Sequence, residues 1–139
     1  MMEWMLMPLK RYADFSGRSR RKEYWMFALF NFLVMVVLGM IAVLLGGFEP
    51  DPSGEPSGGS LAFLGLIGIY GLAVLVPSIA VQVRRFHDQD KSGWFVLINF
   101  VPYLGGLIVL VFMCLDGTKG ENRFGDDPKS NENVGDVFN

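Results

Sequence analysis

Three apolar blocks set the plan of this chain: Trp25 to Leu45, Leu61 to Val83 and Trp94 to Leu115. The first holds 21 residues with Asn31 as its only polar side chain, and at helical rise it reaches about 30 Å, the thickness of a hydrocarbon core. The second is 23 residues long and the third 22, so each has the length of one crossing. The pattern therefore predicts an all-α integral membrane protein with three transmembrane helices.

Polar positions inside the blocks refine that plan. Asn31, about two turns into the first block, needs a partner on another helix or on its own preceding turn. In the second block Ala62, Gly65, Gly68 and Gly71 form a row of small residues that would let a neighbouring helix approach. Pro77 leaves the carbonyl of Ala73 without its helical donor and predicts a bend, while Ser78 and Gln82 make the end of that block more polar. The third block is interrupted by Asn99-Phe100-Val101-Pro102-Tyr103-Leu104-Gly105-Gly106, which kinks a single span or turns a hairpin at Pro102. The arms of a hairpin would each fall short of the ~20 residues a crossing needs, so the kinked span is favoured.

Between the blocks lie the connectors. Pro8 is placed as the first residue of a short interfacial helix over residues 8–15, with Leu9, Tyr12 and Ala13 on one face and Lys10, Arg11 and Asp14 on the other. Arg18, Arg20, Arg21 and Lys22 then precede the first span, with Ser19 as a candidate cap and Tyr24 and Trp25 at the level of an aromatic belt. Four cations at a helix start oppose its dipole, so an anionic membrane leaflet accounts for them better than helix preference does. Residues 46–60, rich in Gly and Pro with three acids and no Lys or Arg, read as a flexible external spacer. The island Arg84 to Trp94 holds the only histidine, His87. On a continued helix Arg84 and Asp88 are four apart and can pair, leaving Arg85 near the headgroups and His87 partly exposed. Ser92 is a candidate cap for the third block.

Lys and Arg number six before the first span, three in the 84–93 island, none in 46–60 and three after residue 115, which places the amino terminus in the cytoplasm. With three spans the carboxyl-terminal segment is then external; a hairpin would return it to the cytoplasm. One membrane domain over residues 1–129 and a disordered tail over 130–139 complete the organisation.

Composition agrees with lipid as solvent: 51% of the 139 residues are hydrophobic, 14% are aromatic, and mean hydropathy is +0.35. A net charge of −2 supplies no basic field for nucleic acid. A single cysteine, Cys114, excludes an internal disulfide and a cysteine-cluster metal site. One histidine with Asp88 and Asp90 is a poor donor count for a transition metal, and no metal or other cofactor is expected. No nucleophile, base and orienting group occur together, and no carboxylate lies inside a span, which argues against an enzyme and lowers the case for ion-coupled transport.

Three stretches taken together carry a resemblance. They are Trp4 with Tyr12, Phe15, Gly17, Arg18, Arg21, Glu23, Tyr24 and Trp25; then Arg85-Phe86-His87-Asp88 with Asp90, Ser92, Gly93 and Trp94; then Gly117-Thr118 with Gly120-Glu121-Asn122-Arg123-Phe124-Gly125-Asp126-Asp127-Pro128. The chain resembles the YhaH/YhaI-like small bacterial inner-membrane proteins, domain of unknown function 805, over about residues 4–129. The resemblance implies a multi-span inner-membrane protein without an assigned activity. If the three stretches form one polar cluster they must share a membrane face, which favours the hairpin and conflicts with the three-span topology.

The leading functional reading is a non-catalytic component that binds lipids, anionic headgroups above all, or another membrane protein. Candidate contacts are Arg18, Arg21, Glu23, Arg84, Arg85, His87, Asp88, Asp90, Asn122 and Arg123. A small oligomeric transport or flux component, built on the face of Gly65, Gly68 and Gly71, is the alternative. A headgroup-modifying enzyme using His87 and Asp88 is the third reading.

Overall fold

The computed structural model describes residues 1–129; the expected disordered tail, 130–139, lies outside the described residues. The described chain is helical: α1 (Met2–Lys10), α2 (Arg21–Leu44), α3 (Gly58–Asp88), a 3-10 helix η1 (Gly93–Phe100) and α4 (Gly105–Cys114). α2 and α3 are each long and apolar enough to cross a membrane. Their apolar side chains mostly point outward, among them Phe32, Val37, Met40, Leu64, Ile69 and Leu72. A helix exposing such residues along its length is built for lipid, because in water that surface would be driven inward.

The two long helices run antiparallel. Glu23 meets Arg84, Asn31 meets Tyr70, and Gly47 lies against Gly59. Asn31 bonds on both sides: its Nδ2 donates to Phe27 O (2.7 Å), and its Oδ1 accepts from Tyr70 OH (2.7 Å). At the loop end, Ser57 caps α3 by accepting from the Ser60 backbone N–H (3.1 Å), and Phe48 packs edge-on against Phe63 with ring centroids 5.4 Å apart. Beside Gly65, Gly68 and Gly71 a side chain would meet nothing among the described residues, so this row is not the seam between α2 and α3.

The third apolar block does not form the expected kinked span over 94–115. Ser92 caps η1 as predicted, accepting from Trp94 N at 3.4 Å. Pro102 has no N–H to continue an α-helix, and Val101 before it takes an extended conformation. Tyr103 then turns with φ +65°, and Gly105 packs so tightly on η1 that a Cβ there would fall on Ile98 O. At about 2.0 Å per residue for η1 and 1.5 Å for α4, each arm reaches only about 15 Å. The block returns to the end it started from. Gly93 lies against Val83 and His87 of α3, while Arg85 donates to Leu115 O and Trp25 Nε1 donates to Met113 O (3.3 Å). Residues 116–129 therefore sit at the same end as Arg18, not at the opposite end.

The amino-terminal helix is also corrected. It covers Met2–Lys10 rather than 8–15, and Pro8 is buried in its last turns instead of opening it. The lost donor at Pro8 and the end of the helix two residues later leave Tyr12 in a turn, from which its hydroxyl donates to Ala73 O. That carbonyl is the one Pro77 deprives of its helical partner, so a side chain from another segment repairs the break. A small core of Phe86, Val109 and Met113 joins α3 to α4, with Tyr24 and Phe112 packed against it.

Candidate functional site

At the charged end, where α2 begins and α3 stops, polar side chains are buried together. Arg84 and Arg85 are 0% exposed, Glu23 and Asp88 2%, and Arg18 6%. Three guanidiniums and two carboxylates removed from solvent are tolerable only if their hydrogen bonds are met within the protein.

The sequence places these groups on one helix end because α3 continues without a break past its apolar part into the island. The expected Arg84–Asp88 pair does not form. Arg84 Nη2 binds Glu23 Oε1 at 2.9 Å, its Nε donates to Ser19 Oγ (2.8 Å), and Nη1 donates to Asp14 O. Ser19 is consequently not the cap of α2; that position is Arg20, and the Ser19 backbone N–H donates to Arg84 O (3.1 Å). Arg85, expected near the headgroups, turns inward to Asp88 Oδ2 at 2.6 Å. Segments 11–23 and 115–125 cover this end of α3: Arg84 finds Glu23, Ser19 and Asp14 in the first, and Arg85 adds Leu115 O from the second to its own-helix partner Asp88.

Asp88 is the hub. Its carboxylate takes Arg18 on one oxygen (3.0 Å) and Arg85 on the other, and its backbone carbonyl accepts from Thr118 N at 2.6 Å. Arg18 extends the network, donating to Gly120 O (2.6 Å), Thr118 O and Gly125 O (3.3 Å). Gly117 passes so close that a Cβ would fall on the Asp88 carboxylate. His87 Nδ1 donates to Gly17 O (3.0 Å), since a carbonyl only accepts, and its ring stacks on Phe124 with centroids 4.0 Å apart. Asn122 Nδ2 donates to His87 O (2.9 Å), and Arg123 pairs with Asp90 at 3.2 Å on the surface. Arg21 stands at the edge, exposed, donating to Cys114 O (2.9 Å) and pairing with Asp116 at 3.2 Å.

The ten candidate residues thus lie at one end of the molecule. Nine join a continuous set of contacts around α3, and Arg21 borders it. His87 and Asp88 face different partners, so the arrangement presents no imidazole–carboxylate pair for proton transfer. Among the described residues no group of three or more His, Cys, Asp or Glu could hold a metal ion. Peripheral carboxylates are tuned by local bonds. Asp14 is held at about 2 by the Ser16 hydroxyl and Arg11, and Asp127 is lowered chiefly by the Lys129 backbone N–H.

Sequence reasoning missed Ser19, Gln89 and the carbonyls of Asp14, Leu115, Thr118 and Gly120 as members of the network. Gln89 donates to Phe112 O. Backbone carbonyls carry no signal in a sequence. Gly117 did carry one, because a lone glycine just after an apolar block marks a close approach.

The sequence model of a family described as "Protein of unknown function (DUF805)" matches residues 12–126. Inner membrane protein YhaH of Escherichia coli (strain K12) is 48% identical over 128 residues, covering 92% of this chain and 98% of that protein. Inner membrane protein YhaI of the same strain is 44% identical over 132 residues, covering 95% and 100%. The uncharacterized protein YiiR, also of that strain, is 27% identical over 82% of this chain and 85% of its own length. No solved structure matches the chain.

Proposed function

This chain belongs to the DUF805 family, and from that membership we propose that it is a non-catalytic inner-membrane component that binds anionic lipid headgroups at its charged end. The observation that carries the reading is the division of labour among its cations. Arg18, Arg84 and Arg85 are committed to internal partners, whereas Lys10, Arg21 and Lys22 remain on the surface. Arg20 and Lys22 lie over the Trp4 ring at 5.0 and 5.1 Å, joining α1 to the start of α2 in one interfacial layer. Such a layer attracts anionic headgroups by about 1 kcal/mol per cation.

All twelve Lys and Arg fall in segments that the hairpin gathers at this end, and none falls in 46–60. The positive-inside rule then makes the charged end cytoplasmic, with both the amino terminus and residues 116–129 on that side and the short η1–α4 arms re-entering the membrane. The test is lipid retention in nanodiscs of mixed phosphatidylglycerol and phosphatidylethanolamine, read by native mass spectrometry. Lys10→Ala with Lys22→Ala should cut the enrichment of phosphatidylglycerol about fivefold per charge removed. Unchanged enrichment in a folded double variant would sink the proposal.

A further inference from the structure

Between α2 and α3, on the membrane side of the Glu23–Arg84 pair, lies a recess of about 300 Å³ whose walls include Tyr24, Phe27, Asn31, Ser78, Val81 and Gln82. Its polar groups come from two helical faces. Ser78 and Gln82 are one turn apart on α3, and Tyr24 and Asn31 are two turns apart on α2. Along α2 the recess thus extends about 10 Å inward from the aromatic belt.

Asn31 is already engaged by Phe27 O and Tyr70 OH. Gln82 Oε1 accepts from Asn99 Nδ2 at 2.7 Å, which fixes the amide and leaves its NH2 as a donor. Among the described residues none accepts from that NH2 or bonds the hydroxyls of Ser78 and Tyr24. The recess is therefore lined by three residues with uncommitted donors, at a depth where bulk water is scarce and an unmet polar group is expensive. It carries no charged side chain, so it does not recognise a phosphate.

We propose that this recess binds the ester-carbonyl region of a membrane glycerolipid. Ester carbonyls are uncharged acceptors, they lie just beneath the headgroups, and each is followed by an apolar chain. The donors match the carbonyls, and Phe27 and Val81 match the start of the acyl chain. Recognition at this site depends on the carbonyl and not on headgroup charge, so it is separable from the binding proposed for Lys10, Arg21 and Lys22.

The experiment compares retention of dioleoyl phosphatidylethanolamine with that of its dialkyl ether analogue, which has the same headgroup and chains but no carbonyls. Full-length protein in nanodiscs containing equal amounts of the two should retain the ester about tenfold over the ether in native mass spectra. Ser78→Ala with Gln82→Leu should reduce the preference below twofold, and Tyr24→Phe should lower it part of the way. Lys10→Ala with Lys22→Ala should leave it unchanged. Equal retention of ester and ether by the unaltered protein would overturn the proposal, leaving a recess filled by water or by acyl chain alone. Loss of the preference on removing the surface lysines would overturn it too. The wild-type comparison needs no variant to fold.

Discussion

One helix, α3, lives in two environments. From Leu61 to Val76 its large apolar side chains, Leu64, Ile69 and Leu72 among them, are exposed, and a Cβ added at Gly65, Gly68 or Gly71 would touch none of the described residues. From Val83 to Gln89 every residue is buried, four of them ionisable. The apolar half needs no protein around it because lipid supplies the solvent, and its backbone bonds are met within the helix. The charged half cannot rely on lipid, so α1, the 11–23 segment, α4 and residues 115–125 close around it. Protein cover in this molecule is spent on polar groups, the reverse of a water-soluble fold.

That contrast can be broken most severely at Arg84. Arg84→Ala leaves Glu23 buried and unpaired and should cost about 3–5 kcal/mol, seen as a lowered thermal midpoint in detergent. Adding Glu23→Leu should recover a large part of the loss, because the second charge is then gone as well. A smaller effect is expected at Gly117. Gly117→Ala places a methyl on the Asp88 carboxylate, costs about 2 kcal/mol by overpacking, and should raise hydrogen exchange across residues 116–129.

Tyr12→Phe removes the donor to Ala73 O opposite Pro77 and should lower stability by about 1 kcal/mol. Asp127 gives a pH test. Its lowered pKa means that its hold on residues 120 and 129 is present at neutral pH and fades only as pH falls below the ordinary value of 3.8 and through the lower folded value. Asp127→Asn should weaken protection of 116–129 at neutral pH and flatten its change with acid. The smallest effect belongs to the exposed half. Gly68→Leu adds a large side chain where nothing stands and should shift the thermal midpoint by less than the equivalent of about 0.5 kcal/mol. A large loss there would mean that the face is covered by another copy of the chain.

Much of the scaffold was legible residue by residue. The presence of α2 and α3 as helices long enough to span, the cap at Ser92, the interruption at Pro102, the need of Asn31 for partners and the orphaned carbonyl of Ala73 all follow from rise per residue, proline chemistry and the low polarity of lipid. The site was legible only as three charged stretches. Which arginine met which carboxylate was not, and local spacing misled: Arg84 and Asp88 are one turn apart, yet Arg84 takes Glu23 while Asp88 takes Arg18 and Arg85.

By itself, then, the sequence determined two helices long enough to cross a membrane, a charged end and a broken third block, because length, periodicity and proline act locally. Whether that block crossed the membrane or folded back depended on how Gly105 packs on η1 and on what Leu115 O meets, contacts that no local pattern encodes. Only the tertiary structure decided it, and with it the position of residues 116–129. The bonds from Arg18 to Gly120 and Gly125 join positions more than 100 residues apart, so the buried charges around Asp88 exist as a site only once the hairpin has closed.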